Sequence, residues 1–343
     1  MKILITGGCG FIGINLALYF LKKGCEVIVI DNLSRKGSEL NAKLLAKENK
    51  TKRIKLVVGA DVTRDFNILQ SLICDDKVDV IIHTAAQVAV TSSVADPVFD
   101  FDINARGTLN ILEAARSSPE KPIFIYTSTN KVYGKMEDIK VKEKKTRYEY
   151  KNKPYGISEL QNLDFHSPYG CSKGCADQYV RDYYRIYGLS TIVFRQSCIY
   201  GRHQFGIVDQ GWISYLTMSA LFEKPITIYG NGKQVRDVLF MDDLGRAFEL
   251  AIKNIDKTKG QIYNIGGGPA YTVSLLEFIC LLEKMLSRKV EIEFADWRPG
   301  DQKIYISDIR KARRDFNWKP KIGLVQGLKK MIEWTEKNKA ALF

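Results

Sequence analysis

The chain has 343 residues, 45% of them hydrophobic and 27% charged, with 52 Lys and Arg against 39 Asp and Glu for a net charge of +13. So ordinary a composition excludes disordered, collagen-like and coiled-coil proteins. A chain this long buries about three quarters of its unfolded surface, so it needs no disulfide or metal to fold. The positive surplus suits anionic ligands. It is mostly scattered lysine, with no basic helix or aromatic platform, so no nucleic-acid partner is expected.

The opening MKILITGGCGFIG lacks the basic region, long apolar core and cleavage site of a signal peptide. No stretch reaches the roughly 18 uncharged apolar residues of a membrane span. Seven scattered cysteines read as free thiols. These features predict a cytoplasmic protein without a membrane partner. Cys171 and Cys175 have no nearby His or Cys to complete a metal site, and no metal is expected.

Short β-branched runs predict strands at 2–6, 26–31, 54–58, 78–83, 123–127 and 191–194. Helical patterns lie between them at 12–23, 64–74, 99–116 and 169–187. Apolar runs without polar alternation, such as Val78-Asp-Val-Ile-Ile82, suit strands buried on both faces. The alternation predicts an α/β fold with a Rossmann-type doubly wound parallel sheet. After Gly201 the pattern loosens to strands at 226–229 and 261–265 and helices at 274–286 and 324–337. We read residues 1–200 as a cofactor-binding domain and 201–343 mainly as a smaller α/β substrate lobe, with part of 230–270 returning to the first domain. The lysine-rich stretch 135–153 reads as a surface insertion that either shapes the pocket or decorates the surface.

Gly7-Gly-Cys-Gly10-Phe-Ile-Gly13 follows a strand and opens a helix, the context of a dinucleotide site. Asp31 ends the next strand, about 20 residues on, where it would accept hydrogen bonds from ribose hydroxyls and repel a 2′-phosphate. That favours NAD, while Arg35 is the one neighbour that suits NADP. Asp61 also ends a strand and could meet the adenine amino group or cap a helix. Tyr169 and Lys173, four apart, share one helix face. The lysine, with a positive nicotinamide, is expected to lower the tyrosine pKa and make it a general base. Thr127-Ser-Thr129 ends a strand at the carboxyl edge, where open α/β sheets bind ligands.

With these motifs the sequence resembles the extended short-chain dehydrogenases/reductases, specifically the NAD-dependent nucleotide-sugar epimerase/dehydratase family, to about Thr335. Segments STNKVYG (128–134), DFHSPYGCSK (164–173), DQGW (209–212) and NGKQVRDV (231–238) most resemble its C2 epimerases of CDP-sugars. The resemblance implies that Thr129 bonds the reacting sugar oxygen, Tyr169 is the acid/base and Lys173 holds the nicotinamide ribose. It implies an NAD site lined by Gly7, Gly10, Phe11, Ile12, Gly13, Asp31, Asn32, Ser34, Arg35, Asp61, Val62, Ala85, Ala86 and Gln87, together with Tyr169 and Lys173. Asn104 would support the site. Asn130, His166, Gln204, Arg236, Arg298 and Asp301 would hold the nucleotide sugar, the arginines through its diphosphate.

Two departures matter. Dehydratases of the family carry Thr-Asp-Glu where this chain has Thr129-Asn130-Lys131, so the acid pair that expels a hydroxyl is missing. Cys198 stands where many relatives place an asparagine near the sugar phosphates. The expected reaction is therefore C2 epimerisation of a CDP-sugar with bound NAD regenerated each turnover, or the same chemistry on a UDP- or GDP-sugar. Of the three histidines, His83 is expected to be structural, and His203 with Gln204 to lie near substrate. Relatives assemble as dimers or tetramers, often through the helix that carries the tyrosine and lysine.

Overall fold

A computed structural model describes residues 1–298 and 301–339. Its strands are β1 (Lys2–Thr6), β2 (Glu26–Asp31), β3 (Ile54–Val58), β4 (Val80–His83), β5 (Ile123–Thr129), β6 (Val141–Glu143), β7 (Tyr148–Tyr150), β8 (Thr191–Gln196), β9 (Cys198–Tyr200), β10 (Ile226–Tyr229), β11 (Val235–Phe240), β12 (Gln261–Ile265), β13 (Thr272–Ser274), β14 (Ile292–Ala295) and β15 (Ile304–Tyr305). Seven form one parallel sheet in the order β12-β8-β5-β4-β1-β2-β3. This is the doubly wound Rossmann-type sheet. Its apolar runs are buried on both faces: Ile3, Ile5, Val27 and Val29 pack into one core, Leu4, Ile28 and Ile30 into the other. The strand order reverses between β1 and β4, and a crevice opens there at the carboxyl ends.

The smaller lobe centres on β11, which pairs with β13 antiparallel and with β9 and β15 in parallel. Beside it β10 pairs with β14 over a separate apolar core that includes Tyr200, Ile228, Phe240 and Leu282. The two parts interleave along the chain. After β11, the Met241–Lys253 helix buries Ala247 and Phe248 against the main sheet. Trp318 is buried in the same core, its indole N–H donating to the Asp243 carbonyl at 3.0 Å.

Several elements differ from the sequence expectation, two of them close to the candidate site residues. Strand β5 runs two residues further than 127 and ends on Thr129. The single helix expected over 99–116 is instead Pro97–Phe101, a π-helical turn Asp102–Arg106, and Gly107–Ser117. The extra residue in that turn carries Asn104 inward to a buried position. The 135–153 insertion contains the antiparallel hairpin β6–β7 and packs on the lobe: Tyr148 N–H donates to the Lys233 carbonyl at 2.9 Å, and Asn231 donates to the Tyr148 hydroxyl at 2.8 Å.

Candidate active site

The cofactor cleft is built from backbone. Gly7 has φ of +63°, and a Cβ there would lie 2.7 Å from the Ala85 backbone. A Cβ on Gly13 would lie 2.3 Å from the Gly7 carbonyl, so this glycine lets the helix sit against the turn, and Gly13 itself does not line the cleft. The Phe11–Lys22 helix starts at Gly10 with no side-chain cap and no acid in its first turn. Its N-terminal N–H groups and dipole therefore suit a pyrophosphate.

Asp31 is buried and accepts from Cys9 N–H at 2.9 Å and Leu33 N–H at 2.8 Å. Burial raises its pKa, against the pull of these backbone bonds. Asp61 accepts from Asn32 at 2.9 Å and from the Thr63 N–H at 2.8 Å and hydroxyl at 2.7 Å. These bonds outweigh desolvation and lower its pKa. Asn32, Ser34, Arg35, Val62, Ala85 and Ala86 line the same cleft. This is a set of donors and acceptors that fits a dinucleotide.

Gln87 lies outside the lining. Its amide donates to Asp100 at 3.0 Å and to the Ala89 carbonyl at 2.9 Å, so it serves the scaffold behind the cleft. The opposite wall comes from the far lobe: His203, Gln204, Phe205 and Gly206. Gln204 thus faces the cofactor cleft, and the Phe205 ring lies where a side chain on Gly37 would fall.

Thr129 and Tyr169 share a hydrogen bond, Lys173 follows Tyr169 by one helical turn, and all three are nearly buried. The Ser167–Tyr187 helix brings Tyr169 and Lys173 to one face, and the end of β5 brings Thr129. Lys173 donates to the Thr127 carbonyl at 2.7 Å and sits 4.2 Å from the centre of the Tyr126 ring. The expected lowering of the tyrosine does not come from the lysine. Burial pushes Tyr169 up to about 12, opposed by a hydrogen bond with Thr129 and the Arg35 charge, while Asp100 adds to the rise. Burial also pulls Lys173 down to about 7, opposed by Asp177 and Asp100. For both groups desolvation outweighs the neighbouring charges and hydrogen bonds.

Behind this pair lies a polar scaffold that sequence reasoning did not single out. Arg195 on β8 forks onto Asp177 at 2.8 and 2.9 Å, with both side chains buried. Ser128 donates to the same carboxylate at 2.7 Å. Asp177 lies four residues after Lys173, so the same-face spacing that flags the tyrosine and lysine also flags it. His83 is buried between the hydroxyls of Thr6 at 2.6 Å and Thr108 at 3.0 Å. Burial holds it neutral, its pKa down at about 3.

On the lobe side Arg236 pairs with Asp301 at 2.8 Å. Arg298 pairs with Asp209 at 3.3 Å and stacks 3.8 Å over the Tyr229 ring. Pro299 and Gly300, inside the segment read as diphosphate-binding, lie outside the described residues. Asn130 donates to Gln302 at 3.3 Å, and Lys131 is lowered by burial and by the Arg236 charge. His166 is exposed at the start of the Ser167–Tyr187 helix and lines no part of the cofactor cleft. Among the described residues no helix is long and apolar enough to cross a membrane.

The family model for GDP-mannose 4,6-dehydratase matches residues 4–331. A CDP-paratose 2-epimerase of Salmonella typhi is 45% identical over 340 residues, covering 98% of this chain and 99% of that protein. A putative UDP-glucose 4-epimerase of Methanocaldococcus jannaschii is 33% identical over 98% of this chain and 99% of its own. Among solved structures, UDP-glucose 4-epimerase of Thermotoga maritima superposes with a TM-score of 0.84 at 29% identity, covering 99% of this chain and all of that one. The dTDP-glucose 4,6-dehydratase of Streptomyces venezuelae, solved with NAD, gives 0.83 at 26% identity over 99% and 98%. The chain therefore belongs to the NAD-dependent nucleotide-sugar epimerase/dehydratase family of extended short-chain dehydrogenases/reductases, as an epimerase with NAD as its cofactor.

Proposed function

We propose that this enzyme interconverts CDP-paratose and CDP-tyvelose by inverting C2 of the sugar. The observation that carries this reading is Thr129-Asn130-Lys131 at the end of β5, beside Tyr169. The site has a hydroxyl pair to handle one sugar oxygen, and no carboxyl group at 130 or 131 to expel another. The near-full-length likeness to a CDP-paratose 2-epimerase supports the same substrate.

When bound, NAD supplies a hydride acceptor and donor at C2, and a positive charge that opposes the burial cost of the Tyr169 phenolate. Tyr169 takes the proton of the C2 hydroxyl as the sugar becomes a 2-keto intermediate, and returns it to the same oxygen after the face is exchanged. Thr129 holds that oxygen and the tyrosine together. Lys173, anchored on the Thr127 carbonyl, fixes the nicotinamide ribose. Arg236 and Arg298 grip the diphosphate, so the sugar can turn while the nucleotide stays. In this reading residues 1–200 and β12 hold the cofactor, and most of 201–343 holds the nucleotide sugar. Exposed Val98, Phe99 and Phe101 with Tyr179, Ile186 and Tyr187 give two neighbouring helices an apolar face for a homodimer.

Proton NMR of CDP-paratose with the purified protein and no added cofactor tests the reaction. New anomeric and C2 signals settling at an equilibrium mixture are expected. An unchanged spectrum from NAD-loaded protein would overturn the substrate and favour a UDP- or GDP-sugar.

A further inference from the structure

Asp100 is wholly buried, whereas its neighbours Phe99 and Phe101 are about half exposed. This inverts the usual order of a helix and sinks a carboxylate where an apolar side chain costs nothing. Each of its oxygens is in use. One accepts from Gln87 at 3.0 Å and Asn104 at 3.1 Å; the other accepts from the Ser172 hydroxyl at 2.5 Å. Those three donors come from three different places: the loop after β4, the π-turn, and the helix of Tyr169 and Lys173. Ser172 immediately precedes Lys173 in the chain, and Asn104 also donates to the Ser172 oxygen at 3.0 Å while accepting from Gln87 N–H at 3.0 Å. All three groups donate to the acid and none accepts from it, which suits the ionised form.

We propose that Asp100 is the positioning residue of the catalytic pair, a buried carboxylate that locks the Tyr169–Lys173 helix to the cofactor wall and sets the charge both residues feel. This rests on the assignment of Tyr169 and Lys173 as the reacting pair. Asp100 lies within electrostatic reach of both and raises the pKa of each. The other charged or titratable groups facing the pair are accounted for. Asp177 is tied to Arg195, His83 is neutral, Tyr126 lies against the lysine, and Arg35 reaches in from the loop after β2. Removing the Asp100 charge therefore lowers the pKa of both Tyr169 and Lys173.

Asp100→Asn tests this with the fold kept. Its oxygen can still accept from Gln87 and Asn104, and its amide can donate to Ser172, whose hydroxyl then turns to the Tyr169 carbonyl 3.2 Å away. In NAD-loaded protein kcat should fall about 10- to 100-fold, part of the roughly 10²–10⁴ a positioned acid/base supplies, with KM little changed. Both limbs of the pH profile should move to lower pH. Tyrosinate absorbance, titrated against Tyr169→Phe, should show the Tyr169 titration moving the same way without any substrate. Ser172→Ala, which breaks the link and keeps the charge, should lower kcat by a smaller factor with the profile unmoved. An Asp100→Asn enzyme with wild-type kcat and pH profile, or a Ser172→Ala enzyme with wild-type kcat, overturns the proposal. If Tyr169→Phe retains full turnover, the reacting pair itself is misassigned.

Discussion

The two sides of the active-site cleft hold their charges in different ways. On the sheet side, Lys173, Asp100, Asp177 and Arg195 are buried and held by one another, by a backbone carbonyl, or by the Ser172 hydroxyl and the Gln87 and Asn104 amides. On the lobe side, Arg236 and Arg298 keep their forks closer to solvent and pair with Asp301 and Asp209, which other loops supply. Buried groups cannot exchange partners cheaply, so the sheet side holds one fixed geometry. In the proposed function the arginines trade a carboxylate for a diphosphate, and both pairs are more exposed than the Arg195–Asp177 pair. In the proposed function the chemistry falls on the rigid side and the grip on the adjustable one.

That contrast can be broken most sharply at Tyr169. Tyr169→Phe should cost about 10²–10⁴ in kcat while NAD stays bound, measured by NMR turnover and the cofactor content of the purified protein. Next in size is Arg195→Met, which strands the Asp177 carboxylate in the core. A loss of about 3–5 kcal/mol in denaturant unfolding is expected, against at most about 1 kcal/mol for Arg298→Met on the lobe side. Arg236→Met should raise KM for the nucleotide sugar about 10-fold to 100-fold with kcat nearly kept, as the loss of a charge-assisted bond worth about 1.5–3 kcal/mol requires.

A pH dependence supplies a separate test. Lys173 titrates at about 7 when folded and near its ordinary 10.5 when unfolded, so the unfolded chain holds the extra proton between those values. Stability of the cofactor-free protein relative to Lys173→Met should therefore rise with pH from 7 to about 10.5. Thermal melts across that range check the sign, and a falling difference would show that the buried lysine keeps its proton.

The sheet side was largely legible in the sequence because its signals are local. The glycine turn, the acid ending β2 and the acid in the loop after β3, and the Tyr169/Lys173 spacing each fit within a short stretch whose physics is self-contained. Asp100 was not legible, since an acid between two phenylalanines reads as the outward face of a helix. Its burial depends on a π-turn and on a helix some seventy residues away. The pairs Arg236–Asp301 and Arg298–Asp209 were visible only as four separate candidates or motif members, because closing each pair takes the folded lobe. Gln87 shows the converse: a residue in a legible segment whose side-chain bonds to Ala89 and Asp100 only the fold reveals. The raised pKa of Tyr169 was not legible either, since motif spacing says nothing about how deeply the group is buried.

Strand β12 completes the main sheet beside β8, yet 64 residues of lobe separate the end of one from the start of the other. During synthesis, β8 must wait as an open edge until residues 261–265 leave the ribosome, several seconds later at about 5–20 residues per second. A nascent chain stalled in the lobe would carry a nearly finished nucleotide-binding sheet with one sticky margin, the form most exposed to mispairing with another chain. The strand order thus makes the intervening segment a timing element, delaying completion of the main sheet while the first part of the lobe is made.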